Sequence, residues 1–275
     1  MTKTELYGGD VVLRFDPEKH NYYVTLCGED LGKVSGATGY TGIIAKPALQ
    51  YWAAKETAKY WAENVEPGVA YDEVEIAEMV SASKKARFKT SGKALNIGSI
   101  THDWMEDYIN RVIDHGAEKV EVLDPKEKAK PHQIALPMNE QVRDAVTEFL
   151  AWEASHDSIE WIAAERKVYS VKYNHSGTLD GEAIIDGKRA IVDFKTSKRL
   201  YPEYLIQAAC YMGCREEEER YVQSGIELDG IVILRVPKDG GAFEAVEEFD
   251  SDKLREHYKA FLACHFLKNW KKENK

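Results

Sequence analysis

The segment Gly177–Lys195, GTLDGEAIIDGKRAIVDFK, permits few structures. Two runs of alternating apolar and polar residues are joined by Asp186-Gly187, and a two-residue Asp-Gly connection between such runs is among the strongest hairpin signals. So short a loop fixes the register, placing Ile185 opposite Lys188, Asp180 opposite Asp193 and Thr178 opposite Lys195. Leu179, Gly181, Ala183 and Ile185 then share a core-facing side with Ala190, Val192 and Phe194, while Asp180, Asp193 and Lys195 share the other side.

Directly opposed residues have Cβ atoms roughly 4.5–5.5 Å apart, and like charges so placed destabilise a sheet. A hard divalent cation compensates naturally, because it takes oxygen ligands, often from only one or two carboxylates. Lys195 would stand beside that ion and steady charge developing on a phosphate. The bland alternative is a solvent-facing hairpin on which Lys195 merely neutralises two carboxylates.

The chain of 275 residues is long enough to bury a substantial core. Its opening, MTKTELYGGDVVLRF, lacks an apolar signal core, and no run approaches the roughly 18 apolar residues of a membrane span, so a cytoplasmic protein is expected. Cys27, Cys210, Cys214 and Cys264 include no C-x-x-C pair, so neither zinc nor iron–sulfur spacing is present; Cys210 and Cys214, four apart on a helix, read as reduced, partly buried thiols. The net charge of −10 excludes a surface that coats nucleic acid indiscriminately, yet Glu78–Asp103 encloses Lys84, Lys85, Arg87, Lys89 and Lys93 with no acid between. Acidity is concentrated elsewhere, notably in Glu216–Glu219; a charge run is usually a solvated face, and for the basic stretch that is the alternative to a nucleic-acid track.

In chain order, DVVLRF and YYVTLC predict an N-terminal hairpin around residues 16–21, followed by a Gly/Thr-rich loop over Ser35–Gly42. A helix begins at Pro47; its Tyr51-Trp52 and Tyr60-Trp61 pairs read as core, with base stacking as the alternative. Two helices follow, Asp72–Phe88 and one after Gly98 capped by Ser99 or Thr101, the latter carrying His102 at the border of its apolar stripe. Residues 114–138 read as an excursion loop, and Asn139 caps the next helix. A strand over 159–171 places Glu165, Lys167 and Tyr169 on one face. After the Asp-Gly hairpin, a helix from Pro202 carries Gln207 and Tyr211 one turn apart. Strands 229–236 and 241–249 pair across Lys238-Asp239-Gly240, and a final helix from Asp250 or Ser251 buries Leu254, Tyr258, Phe261, Leu262 and Phe266.

From Gly98 onward the order is helix, three strands, helix, strand, and four motifs fall on it in sequence: G-x-x-x-H at Gly98–His102, G-x-x-D at Gly177–Asp180, D-x-K at Asp193–Lys195 and Q-x-x-x-Y at Gln207–Tyr211. In these residues, spanning roughly 95–236, the chain resembles the RecB-like branch of the PD-(D/E)xK nuclease superfamily, and FDPEKHNYYV with KPALQYWA resembles phage-encoded exonucleases of that branch more loosely. The resemblance implies an α/β (α+β) fold: an αβββαβ restriction-endonuclease-like core with a mixed sheet flanked by helices, within residues 95–275, and an N-terminal hairpin and helical extension over 1–94 packed on it. It further implies that His102, Asp180, Asp193 and the Phe194 carbonyl ligate one or two Mg²⁺ or Mn²⁺ ions, with Glu165 as an additional acid. Lys195 would orient or activate the attacking water, and Gln207 and Tyr211 would support Lys195 and the DNA backbone. No iron–sulfur cluster is expected, since the cysteine quartet of some relatives is missing.

The function expected is a metal-dependent DNA exonuclease in recombination, repair or phage DNA processing, in the host cytoplasm if phage-encoded. Lys84, Lys85, Arg87, Lys89, Lys93, Lys198 and Arg199 are the candidates for gripping DNA, and a single-strand annealing or recombination protein is the candidate partner. The alternatives are a structure- or sequence-specific endonuclease on the same core and a non-catalytic DNA-binding scaffold.

Overall fold

The computed structural model describes residues 1–236 and 241–274, excepting the side chains of Ala48, Arg87, residues 89–96 and Glu118. By internal packing the chain forms two units, Met1–Ile44 with Ile100–Lys275, and Ala45–Ser99. The expected division at residues 94 and 95 therefore differs: the N-terminal strands group with the core, and only the helical segment forms a unit of its own.

In the larger unit, β1 (Thr2–Leu6), β2 (Val11–Asp16), β3 (Asn21–Leu26) and β4 (Glu29–Gly36) form an antiparallel meander. The β2–β3 hairpin is the expected one, its turn held by the Asp16 carboxylate accepting from the backbone of Glu18 and Lys19. The Gly/Thr-rich loop is instead the end of β4 and a short helix, α1 (Ala37–Thr41). Leu13, Tyr22, Val24 and Val34 of the meander pack with Tyr169 in one apolar cluster.

The smaller unit contains α2 (Pro47–Asn64), starting at its proline as expected, and the first part of α3 (Glu73–His115). Asp72 and Glu75 form a reciprocal capping box, each carboxylate accepting the other's backbone N–H at 2.8 and 2.9 Å. Two helices were expected here, but α3 is one helix of 43 residues running through Gly98, so Ser99 and Thr101 are helix-interior residues and not caps. Its two interior glycines, Gly92 and Gly98, cost only about 1 kcal/mol each, too little to break a helix with good formers around them. Tyr51 is 78% exposed, against its core reading.

The excursion segment holds two short parallel strands, β5 (Glu121–Leu123) and β6 (Gln133–Ala135). Then follow α4 (Glu140–Ala154), capped by Asn139 through Val142 N–H, β7 (Ile159–Ser170), β8 (His175–Ile185), β9 (Lys188–Lys195), α5 (Pro202–Val222), β10 (Gly230–Arg235), β11 (Glu244–Glu248) and α6 (Ser251–Glu273). Phe266 of α6 is 64% exposed, contrary to expectation, while Leu254 and Phe261 are buried. The turn at 238–240 lies outside the described residues. No helix among the described residues is long and apolar enough to cross a membrane.

Strand β8 is the pivot of the sheet. One edge pairs antiparallel with β7 along almost its whole length. The other edge is shared: His175 and Ser176 pair in parallel with Ser35 and Gly36 of β4, whereas Gly181–Ile185 pair antiparallel with Val192–Lys188 of β9. The tight hairpin and its Ile185–Lys188 register are as the sequence requires, but the ladder ends at Gly181 and Val192, so Asp180 and Asp193 sit where β8 and β9 part. β9 continues into a parallel pair with β10, the crossover being α5. Leu179, Ile191, Ile231 and Ile233 pack with Ala208 and Tyr211 of α5 and Phe261 of α6, while Phe194 joins an aromatic group with Phe149 and Trp161. Both faces are thus covered, and Leu179 belongs to the α5 side, not with Phe194.

Candidate active site

The sheet opens into a fork between β4 and β9, and Asp180 occupies it. On the β7 side the register passes from Ala164–Gly181 to Arg166–Leu179, skipping Glu165 and Asp180, and Glu165 takes a left-handed φ of 46°. A non-glycine residue held there stores strain of about 1–3 kcal/mol, which packing must offset. Freed from the ladder on both edges, the Asp180 carboxylate accepts from Phe194 N–H at 2.7 Å through one oxygen and faces His102 Nδ1 at 3.7 Å through the other. His102 reaches it from α3, its ring edge-on to Phe194 at 6.0 Å. Asp193 lies on the next strand, 1% exposed, paired with the Lys195 ammonium. A solvent-facing hairpin is excluded by that burial.

The charges are strongly coupled. Burial, with the Asp180 charge adding to it and Lys195 opposing, pushes the Asp193 carboxyl up to about 6. Asp180 is half-buried, and His102, Lys195 and Phe194 N–H outweigh its desolvation and hold it below its ordinary value. Burial would depress His102 and Lys195; the carboxylates win at both and raise them. Lys195 is therefore a firm ammonium, suited to placing charge and unsuited to taking a proton.

Asp193 Oδ2 is buried and lies beside Lys195 as an ion pair, yet makes no hydrogen bond of regular geometry. Two carboxylates and an imidazole, with an ammonium beside them, form a donor set that fits a hard divalent cation.

Two of the sequence motifs meet physically behind this centre. A Cβ on Gly177 would stand 2.4 Å from Tyr211 Cε1, so the glycine of G-x-x-D is the seat for the tyrosine of Q-x-x-x-Y. Gln207 Nε2 donates to Tyr211 Oη at 2.6 Å and to Thr38 Oγ1 at 3.3 Å, and Tyr204, from the same helix, lies under the Lys195 ammonium at 5.2 Å. Gly177→Ala must push buried Tyr211 aside; a loss of about 1–3 kcal/mol in denaturant unfolding is expected, and a variant as stable as the parent would show the close approach to be slack.

Sequence reasoning missed Glu106, one turn beyond His102 on α3 and so on the same side of the helix. Burial raises its carboxyl, with Lys167 opposing and Asp103, Asp107 and Asp180 adding to the effect in that order; Glu165 is raised likewise by burial, then Asp180, with Lys167 opposing through a contact at 3.4 Å. The i,i+4 spacing from His102 was the available signal. Lys198 and Arg199 are exposed in the loop after β9, and Lys84 and Lys85 are exposed on α3 in the smaller unit. The side chains of Arg87, Lys89 and Lys93 lie outside the described residues.

Also unforeseen is a buried trio, His175 of β8 with Cys210 and Cys214 of α5. The two thiols are fully buried, not partly as expected. A family model described as the PD-(D/E)XK nuclease superfamily matches residues 77–273. No curated protein matches the chain.

Proposed function

The chain belongs to the PD-(D/E)XK nuclease superfamily, and from that premise we propose that it is a Mg²⁺- or Mn²⁺-dependent exonuclease of the RecB-like branch that hydrolyses phosphodiesters at DNA ends. The observation that carries this reading is the convergence of Asp180, Asp193, Lys195 and His102 at the fork between β4 and β9. A binding scaffold gains nothing from two carboxylates that repel each other.

In this reading Asp180, Asp193 and His102, with the Phe194 carbonyl, hold the cation, and Glu165 and Glu106 extend the acidic wall. A divalent cation bound there neutralises charge on the scissile phosphate and acidifies water. Lys195 fixes the attacking water and balances negative charge as the phosphorus becomes five-coordinate. Asp193, through its pairing with Lys195, holds that ammonium in line. Gln207 and Tyr211 act as positioning residues, keeping α5 seated on Gly177 and hence Asp180 in the fork.

End-labelled linear DNA and closed circular DNA, each incubated with Mg²⁺, Mn²⁺ or EDTA, test the proposal. Metal-dependent loss of linear DNA that spares circles is the expected result. Cutting of circles would replace the exonuclease with an endonuclease on the same centre, and inert DNA throughout would leave a scaffold.

The raised carboxyl gives a pH signature. Asp193 must be ionised to hold a cation, and its proton competes below about 6; His102, raised above its ordinary value, competes already at higher pH. Cation affinity should therefore fall as pH falls, by about tenfold per unit where one proton is displaced and about a hundredfold where both are. Calorimetric Mg²⁺ titration from pH 8 to 5 measures the slope. A slope of one below pH 6 would remove His102 from the ligands, and a flat profile would remove Asp193.

Lys198 and Arg199 adjoin the D-x-K strand and are proposed to hold phosphates. Lys198→Gln with Arg199→Gln should reduce the slope of log binding against log salt by about 1.4–1.8, since each phosphate contact contributes about 0.7–0.9. An unchanged slope would place both outside the interface.

A further inference from the structure

His175, Cys210 and Cys214 have no part in the chemistry above. His175 is the first residue of β8; Cys210 and Cys214 stand one turn apart on α5, which turns both thiols toward that strand. Each Sγ lies 3.6 Å from the same ring nitrogen, His175 Nδ1. That nitrogen has either one hydrogen to give or one lone pair to accept with, so it serves one thiol fully and leaves the other to its sulfur neighbour, Cys210 and Cys214 being hydrogen-bonded to each other. The other ring nitrogen, Nε2, is buried with no hydrogen-bond partner among the described residues; it diverges from Nδ1 across the ring, so an ion between Nδ1 and the two sulfurs leaves it as it is. Around the trio are aromatic rings, Tyr40, Tyr173 and Phe261, with centroids 4.8–6.3 Å from the imidazole. An under-bonded polar trio at 0–1% exposure in such a setting is costly unless something joins it.

One ion would join it. In a tetrahedral zinc site, with Zn–S of about 2.3 Å and Zn–N of about 2.0–2.1 Å, sulfur and nitrogen ligands stand about 3.6 Å apart, which is the separation both cysteines show from His175. Two thiolates also cancel the charge of a divalent ion, leaving a neutral unit suited to a dry interior. Thiolates are soft donors, so this pocket discriminates against the hard cations suited to Asp180 and Asp193.

We propose that His175, Cys210 and Cys214 form a structural zinc site that staples β8 to α5. The fourth position falls to an exogenous ligand, water in the simplest case. Its location gives it a purpose: His175 is two residues from Gly177, and Cys210 adjoins Tyr211, so the ion clamps the strand and helix whose contact seats Asp180. The sequence concealed the site because two ligands are four apart on a helix and the third lies 35 residues away from the nearer cysteine.

The test uses the full-length, tag-free, reduced protein, with bound metal measured by mass spectrometry after gel filtration. About one zinc per chain is expected in the parent and in Asp193→Asn, falling at least tenfold in Cys214→Ser and in His175→Ala. Because those variants can unfold, the parent is also loaded with Co²⁺, for which an ultraviolet thiolate charge-transfer band and intense visible bands of tetrahedral cobalt are expected. Absence of zinc together with absence of those bands would overturn the site. Retention of zinc in folded Cys214→Ser, its loss from Asp193→Asn, preference for Cu⁺, or a Cys210–Cys214 disulfide in parent protein purified without reductant would overturn it equally. None of these readouts depends on nuclease activity.

Discussion

Asp193→Asn abolishes metal-dependent cleavage, lowering kcat by on the order of 10³-fold or more, and leaves a protein at least as stable as the parent in the absence of metal. The two halves of this expectation come from the same geometry. Asparagine keeps the shape of the side chain but removes the charge that would bind the cation and align Lys195. It also removes a charge that the fold holds at a cost, since burial and Asp180 push the Asp193 carboxyl up to about 6. A carboxyl raised in the folded state binds more protons there than in the unfolded chain, so metal-free parent protein loses stability as pH rises from about 4 to 6. The variant lacks that titration. Thermal melts in EDTA at pH 4 and pH 7 should show the parent's midpoint drop relative to the variant's, while DNA binding persists. Retained cleavage would remove Asp193 from the chemistry. A variant markedly less stable at pH 7 would make the carboxylate a structural partner of Lys195.

What the sequence disclosed of this centre was local. A two-residue turn and a period of two determine which residues of β8 and β9 pair, so Asp180, Asp193 and Lys195 could be brought together from spacing alone. The fork that frees Asp180 could not, because it depends on β4 arriving from some 140 residues upstream to take over the edge of β8. Nor could the role of Gly177, which is set by Tyr211 on the helix that follows the next strand. Gly98 misled in the opposite direction: a residue that often ends helices sits inside one, since nothing nearby rewards stopping. Glu106 was hidden among the acids of an amphipathic helix, distinguished only by standing one turn from His102.

The acidic run Glu216–Glu219 was the most deceptive feature, for it looks solvated and two of its members are buried. Arg215, 1% exposed, donates from Nε to Glu182 at 3.0 Å and from Nη1 to Glu218 at 2.8 Å, and pairs with Glu219 through Nη2. Glu182, on β8 and 0% exposed, is also bound by Arg189 at 2.6 Å. Arg215→Ala is expected to cost about 3–5 kcal/mol at pH 7, because it leaves a buried carboxylate one cation short. Arg215 holds Glu182 below its ordinary range against the effect of burial, and Ser224 and Arg215 together do the same for Glu219. Depressed carboxyls contribute stability above their unfolded value and lose it as pH falls through the folded one, so the parent weakens below about 4.5. With Arg215 gone, Glu182 is freed to take up a proton, and the deficit relative to the parent should narrow toward pH 4. Urea unfolding across that range measures it. Arg215→Met combined with Glu182→Met should recover most of the loss, since a matched apolar pair needs no desolvated charge. A deficit under about 1 kcal/mol, or one that grows on acidification, would show that α5 is held to β8 by its apolar face alone. If the network is the fastening, folded Arg215 variants lose activity as well as stability: the helix it anchors carries Gln207 and Tyr211, and through Gly177 their seating sets the position of Asp180.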